Sequence, residues 1–242
     1  FEEDRKKLQS LKQTLPSSID SVSMYYHAGF DEYGNVTVRY RRNRLVKRTR
    51  HFQWKGECHN YLEVNGKVMM SDIVISHLKN HHERGRNLLI YKRKMKKGEP
   101  FSARDYFYYG NELRENGHFK QAIEAYTKNI NMKEGWVEDK VFACIFRADC
   151  FHALGQQKKE LGSLIDSLIL SSSPRPEACC RIGNRLLQNG LFQSAIFWYS
   201  LAICIEDEPN RSGFSYPAYS TWLPHFQLAI CYINLQDFKR AY

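Results

Sequence analysis

The sequence predicts an α/β part over residues 1–98 followed by an all-α repeat solenoid over residues 99–242. Three observations predict it. Short runs of alternating apolar and polar residues, the two-residue period of a strand, are confined to the first hundred residues. Beyond them a set of small and aromatic residues recurs, with Ala122 and Ala195 as its fixed points, 73 residues apart. Gly98-Glu99-Pro100 breaks the pattern between the two parts.

Residues 2–15 carry Leu8, Leu11 and Leu15 at helical spacing. Acids come first and Lys/Arg follow, which suits a helix dipole. Pro16-Ser17-Ser18 ends that helix. Residues 22–26 alternate as a strand, and Asp31 to Asn35 reads as a hairpin turn in which Gly34 and Asn35 accept positive φ. Residues 36–46 alternate again and become dense in arginine: Arg39, Arg41, Arg42 and Arg44, with Lys47, Arg48 and Arg50 after them. Three readings stand for this run. It is a solvated edge strand, a pair of guanidinium forks for a diphosphate, or a nucleic-acid face, which wants aromatics interleaved and has only Tyr40 within the run.

Phe52 to Asn60 gathers two aromatics, a glycine, a carboxylate, a thiol and an imidazole between strands, the setting in which sites are built. Residues 61–68 read as a hairpin turned at Asn65-Gly66, and residues 72–76 as a short buried strand. His77, His81 and His82 follow as H-x-x-x-H-H, with no third ligand set to make an independent zinc site. Residues 85–97 begin a helix with Leu88, Leu89, Tyr91 and Met95 inward and a basic outer face.

In the second part, Gly110, Leu113, Gly117, Phe119, Ala122 and Tyr126 match Gly183, Leu186, Gly190, Phe192, Ala195 and Tyr199 position for position. Ala148, Phe151, Gly155 and Leu164 make a degenerate copy between them. A fourth begins at Trp222 with Leu228, Ala229, Tyr232, Phe238 and Ala241. The period is about 34 residues with insertions. Residues 207–219, rich in Pro, Gly and Ser, form a long connection before the fourth copy.

Charge separates the parts as well. Residues 1–100 hold 21 Lys/Arg against 11 Asp/Glu, and residues 101–242 hold 15 of each, so an anionic partner belongs to the first part. The neutrality of the repeats speaks against an RNA-binding solenoid. No run reaches the 18 or so apolar residues of a membrane span. The seven cysteines lack a C-x-x-C and an even framework, and read as reduced core residues of a cytoplasmic protein. Phe1 opens on an acidic helix start and Tyr242 falls inside a repeat, so a fragment of a longer protein is expected.

The repeating residues resemble the tetratricopeptide repeat, which implies paired helices and a concave surface for partners. The order of the first part resembles something more specific. It runs helix, strand, R-x-R-L-V-K from Arg42, W-K-G-E-C-H-N from Trp54, a strand ending Ser76-His77, and R-N-L opening a helix at Arg86. This looks like the C-terminal half of a GT-A glycosyltransferase of family 2, of the bacterial kind with tetratricopeptide repeats behind it, a layout shared by peptide S-glycosyltransferases.

That resemblance implies a nucleotide-sugar donor such as a UDP-sugar, a peptide or glycan acceptor, and Mg²⁺ or Mn²⁺. It implies His77 on the metal and His59 or Glu57 as catalytic base. Arg42, Arg44, Trp54 and Asn60 would then bind substrate, although Asn60 stands where the family has an acid. The metal's D-x-D motif would lie upstream of Glu2, so this stretch alone would be inactive. A homodimer through the repeats and no nucleic-acid partner complete the expectation. The alternative is a non-catalytic tetratricopeptide-repeat adaptor.

Overall fold

The computed structural model describes residues 2–78, 85–205 and 213–242. The chain forms two compact units, Phe1–His82 with Glu208–Pro217, and Glu83–Asp207 with Ala218–Tyr242.

In the first unit, helix α1 (Glu2–Thr14) precedes strands β1 (Ser21–Phe30), β2 (Val36–Val46), β3 (Gln53–Lys55), β4 (Tyr61–Glu63) and β5 (Val68–Ser76). A three-stranded sheet has the order β2-β1-β5, with β1 antiparallel to β2 and parallel to β5; β3 and β4 pair separately. The helical spacing of Leu8, Leu11 and Leu15 has its purpose here. These residues pack on Val22, Met24 and Ile73, a cluster of buried side chains from β1 and β5. Two polar contacts tie the same helix to β5: Asp4 Oδ1 accepts from the Val74 amide at 2.9 Å, and Lys7 meets Asp72 at 2.7 Å.

The turn at Asp31 forms as its residues suggest. The carboxylate accepts from the Tyr33 and Asn35 amides, and Gly34 takes φ 85°. The turn at Asn65-Gly66 does not close the expected hairpin. β4 pairs back to β3, and a single strand over Val68–Ser76 crosses to lie parallel to β1. Contacts from outside the turn decide this. Asp20 accepts from the Lys67 amide, the Asp20 and Ser21 amides donate to the Lys67 carbonyl, and Arg50 donates to Asn65. The far edge of β2 is closed by Ser215, which exchanges both backbone hydrogen bonds with Arg39, at 2.8 and 3.0 Å.

These small sheets correct the expectation of half a GT-A domain. The described residues hold one three-stranded and one two-stranded sheet, and most of the described chain is helical.

The second unit starts earlier than Gly98-Glu99-Pro100, because α2 (Arg86–Lys96) packs on the helices after it. Its Tyr91 ring lies 5.8 Å from Tyr109 and 6.0 Å from Phe101, and Lys94 pairs with Asp105. Helical hairpins follow: α3 (Ala103–Glu115) with α4 (Phe119–Asn131), α5 (Val137–Ala153) with α6 (Gln157–Leu170), and α7 (Pro176–Gln188) with α8 (Phe192–Cys204). Last come α9 (Trp222–Asn234) and the short α10 (Phe238–Ala241). Ser102 and Asp105 form a reciprocal capping box that starts the series. Gly117, Gly155 and Gly190 turn the first three hairpins at positive φ, and Gln236 does so in the fourth.

The recurring small residues set the distance between paired helices. A Cβ on Gly110 would lie 2.6 Å from the Tyr126 ring, and one on Gly183 would lie 2.7 Å from the Tyr199 ring. Each tyrosine is wholly buried and donates from its hydroxyl to the asparagine after its glycine: Tyr126 to Asn111 at 2.8 Å, Tyr199 to Asn184 at 2.6 Å.

The degenerate copy replaces these contacts. Ala148 and Leu164 stand where glycine and tyrosine stand elsewhere, Asp149 where the asparagine stands, and Glu160 where Ala122 and Ala195 stand. Glu160 and Arg185 are both buried and form an ion pair, with His152 Nδ1 lying 3.2 Å from the carboxylate and 2.9 Å from the guanidinium. Burial also pushes the thiols of Cys144, Cys150, Cys179 and Cys180 up to about 12, so these are inert core groups. All seven cysteines are free.

Two outcomes follow for stability. Gly183→Ala forces Tyr199 away and lowers the unfolding free energy by about 1–3 kcal/mol in a urea titration. Glu160→Leu leaves the Arg185 charge buried and unpaired and costs about 3–5 kcal/mol, most of which returns in the double variant with Arg185→Leu.

Candidate functional site

The basic run of β2 is sorted by its contacts. Arg41 donates to the carbonyls of Ser23 and Ser71 and lies 3.9 Å from the Tyr25 ring centroid. Lys47 donates to the Ser17 carbonyl, and Arg50 pairs with Asp20 at 3.1 Å. These cations fasten strands and turns. Arg42 and Arg44 do something else. In the antiparallel register Met24 faces Arg42 and Tyr26 faces Tyr40, with Arg44 as the extra residue of an irregularity between Val22 and Ser23. Both guanidiniums therefore reach the ring of Tyr26, at 5.1 and 4.7 Å from its centroid, and Arg42 lies 5.5 Å from Tyr40 as well.

His77, just beyond β5, comes to the same ring. Its amide donates to the His27 carbonyl at 2.9 Å, which places the imidazole in a stack on Tyr26 at 5.6 Å. Tyr40 packs on Tyr26 at 5.3 Å and on Phe214 at 5.2 Å. The structure thus brings three of the sequence-derived residues, Arg42, Arg44 and His77, onto one buried phenol. Trp54, Glu57, His59 and Asn60 stay with the β3–β4 pair. Trp54 lies opposite Leu62 and is exposed, Glu57 and Asn60 are exposed in the turn, and half-buried His59 takes φ 50°.

The surroundings of His77 do not fit the expected Mg²⁺ or Mn²⁺, which takes carboxylate and carbonyl oxygens. Its neighbours on Tyr26 are cations. Among the described residues, no group of three or more His, Cys, Asp or Glu side chains is placed to hold a metal. His81 and His82 lie outside the described residues.

In the helical unit, the first helices of successive hairpins are joined by polar contacts. Arg104 on α3 meets Asp139 on α5 at 3.7 Å. Asp149 on α5 accepts two hydrogen bonds from Arg181 on α7, at 2.6 and 3.0 Å, and lies 3.7 Å from Arg114 on α3. The Arg181 guanidinium in turn sits 5.0 Å from the Tyr219 ring centroid. The sequence reading missed this row. One signal was present: Asp149 stands after the small residue of its copy, where the other two copies have Asn111 and Asn184.

This row of paired hairpins decides the architecture. The helical unit is a tetratricopeptide-type solenoid. Among solved structures, the Cut9–Hcn1 hetero-tetramer of the APC/C matches with a TM-score of 0.51 at 15% identity, over 66% of this chain and 28% of that one. The MamA protein matches with a TM-score of 0.49 at 16% identity, over 64% of this chain and 74% of that one. YrrB, described as a TPR protein with an unusual peptide-binding site, matches with 0.45 at 17%, over 66% and 73%. No family model and no curated protein matches the sequence.

The match to the Cut9–Hcn1 structure, with the small sheets of the first unit, overturns the glycosyltransferase resemblance. The chain is not read as a sugar-transferring enzyme, and a nucleotide sugar has no support as its partner. Of the expected location, the structure supports one statement: no helix among the described residues is long and apolar enough to cross a membrane.

Asp139 supplies a pH test of the polar row. Burial raises its carboxyl to about 6, against the opposing pull of Arg104. A carboxyl raised on folding stabilises most below its unfolded value near 3.8, and that contribution is lost as pH rises through about 6. Asp139→Asn is therefore more stable than the parent at pH 7.5 by about 2–3 kcal/mol. The advantage shrinks as pH falls from 6 to 4, as read by denaturation at each pH.

Proposed function

We propose that the chain is a non-catalytic adaptor whose helical repeats hold a protein partner. One observation carries this reading: α6, the second helix of its hairpin, carries an apolar stripe outward. The exposed residues of α4 include Lys120, Gln121, Glu124 and Lys128. Those of α6 include Leu161, Ile165 and Ile169, which fall four residues apart on one face of the helix, with Ile169 at 76% exposure. α8 adds Phe197 at 62%.

At the α4 positions that match these three stand Ile123, Thr127 and Asn131, so hairpin packing does not require three apolar residues there. Single exposed apolar residues need no explanation, but a stripe along a helix marks a contact surface. The Cut9–Hcn1 structure supports the same direction, being by its own description an assembly of different proteins. The polar row from Arg114 through Asp149 to Arg181 holds the first helices of three hairpins in register, so the stripe rides on a fixed frame.

A photo-crosslinking residue placed at Leu161 in the full chain tests this. Cross-linking to one discrete protein is expected from Leu161 and not from Lys120. Ile165→Glu with Ile169→Glu should cut that yield about tenfold without changing the circular dichroism spectrum. The same spread of products from both positions would reject the adaptor reading.

A further inference from the structure

We infer that Arg42 and Arg44 form a binding site for a phosphate-class oxyanion on the β1–β2 face of the first unit. The inference does not depend on the adaptor reading, which rests on the helical unit.

Arg41, Lys47 and Arg50, from the same run, give their N–H groups to carbonyls or to a carboxylate. Arg42 and Arg44 have no hydrogen bond and no ion pair among the described residues, and their contacts are with the rings of Tyr26 and Tyr40. Both guanidiniums lie about 5 Å from one ring centroid, so the two like charges are at most about 10 Å apart. That arrangement is unfavourable by itself and is relieved by an anion.

The ring also fixes them. A guanidinium laid against an aromatic ring keeps its in-plane N–H donors free for a partner. Five donors in a planar fork match the oxygens of a phosphate. Arg42 is half-buried beside Met24, while Arg44 is exposed, so one arginine is held and the other is open to the ligand. His77, stacked on the same ring, brings a further N–H donor to the cluster.

The shape of the cluster selects a compact anion over a nucleic-acid strand. Single-stranded nucleic acid needs aromatic faces on which bases stack. Here Tyr26 is 6% exposed, and its ring already carries His77, Tyr40 and both arginines. Tyr40 is in turn packed against Phe214. The rings serve to support the arginines. The ligand therefore presents a terminal phosphate, either free or as the monoester of a small molecule.

The test is calorimetric titration of the full chain with inorganic phosphate, pyrophosphate and glycerol phosphate at low ionic strength. One anion per chain is expected, with pyrophosphate tightest if two phosphoryl groups span the arginines and glycerol phosphate tightest if a monoester is the natural form. Arg44→Gln weakens binding about tenfold or more, and Arg42→Gln with Arg44→Gln abolishes it. Arg48→Gln, an exposed cation in the same run, leaves it within about twofold. Arg44→Lys keeps the charge but loses the fork, and falls between wild type and Arg44→Gln.

Because Arg42 packs beside the core, each variant is checked by circular dichroism, and Arg44→Gln alone suffices if the double variant does not fold. The inference is overturned if Arg44→Gln binds as wild type does, or if Arg48→Gln loses as much. It is equally overturned if no anion binds, or if a single-stranded oligonucleotide binds more tightly than pyrophosphate with a steep salt dependence.

Discussion

Two helices can lie close only where a side chain is missing, and the helical unit depends on that constraint. At Gly110 and Gly183 the missing side chain is replaced by the edge of a buried tyrosine from the opposite helix. The tyrosine needs a partner for its hydroxyl, and the next residue along supplies one in Asn111 and Asn184. Glycine, asparagine and tyrosine thus act together. The glycine makes room, the tyrosine fills it, and the asparagine keeps the filled space from holding an unpaired polar group. The same geometry recurs 73 residues later because the same demand recurs.

The second copy shows what happens when that arrangement is given up. With Leu164 in the tyrosine's place there is no hydroxyl to satisfy. The residue after Ala148 is then Asp149, whose carboxylate reaches the neighbouring hairpins and binds Arg181 and Arg114. Glu160, in the place of a small alanine, is buried and takes Arg185. A hydrogen bond within a hairpin has been exchanged for ionic contacts between hairpins. Such contacts are costly to desolvate but demanding in geometry, so they fix register more than they add stability.

The sequence showed the helical part well, because its signal is repetition: Gly110 and Gly183 fall at matching places in the fold as well as in the alignment. It also showed α1, β1, β2 and the Asp31 turn, where period and turn chemistry are local. It failed where distant residues decide. Asn65-Gly66 reads as a hairpin from its own residues, yet Asp20 and Arg50 hold it as a link between two sheets. The order of motifs from Arg42 to Arg86 suggested an enzyme half-domain because motif order carries no information about sheet size. For the candidate site, Arg42, Arg44 and His77 were visible as residue types. Tyr26, on which they meet, was not, because its role depends on the register of β1 against β2 and on the end of β5.

The backbone exchange between Arg39 and Ser215 bears on how the protein is made. A ribosome releases β2 long before it reaches residue 215, and the whole run from α2 to α8 emerges in the interval. Throughout that time the outer edge of β2 offers its N–H and C=O groups to any passing strand. The arginines along that edge then act during synthesis as well as after it, since their mutual repulsion discourages two nascent chains from pairing there. The first unit is begun early and closed late, a chronology set by a single residue that follows its partner in β2 by the length of several hairpins.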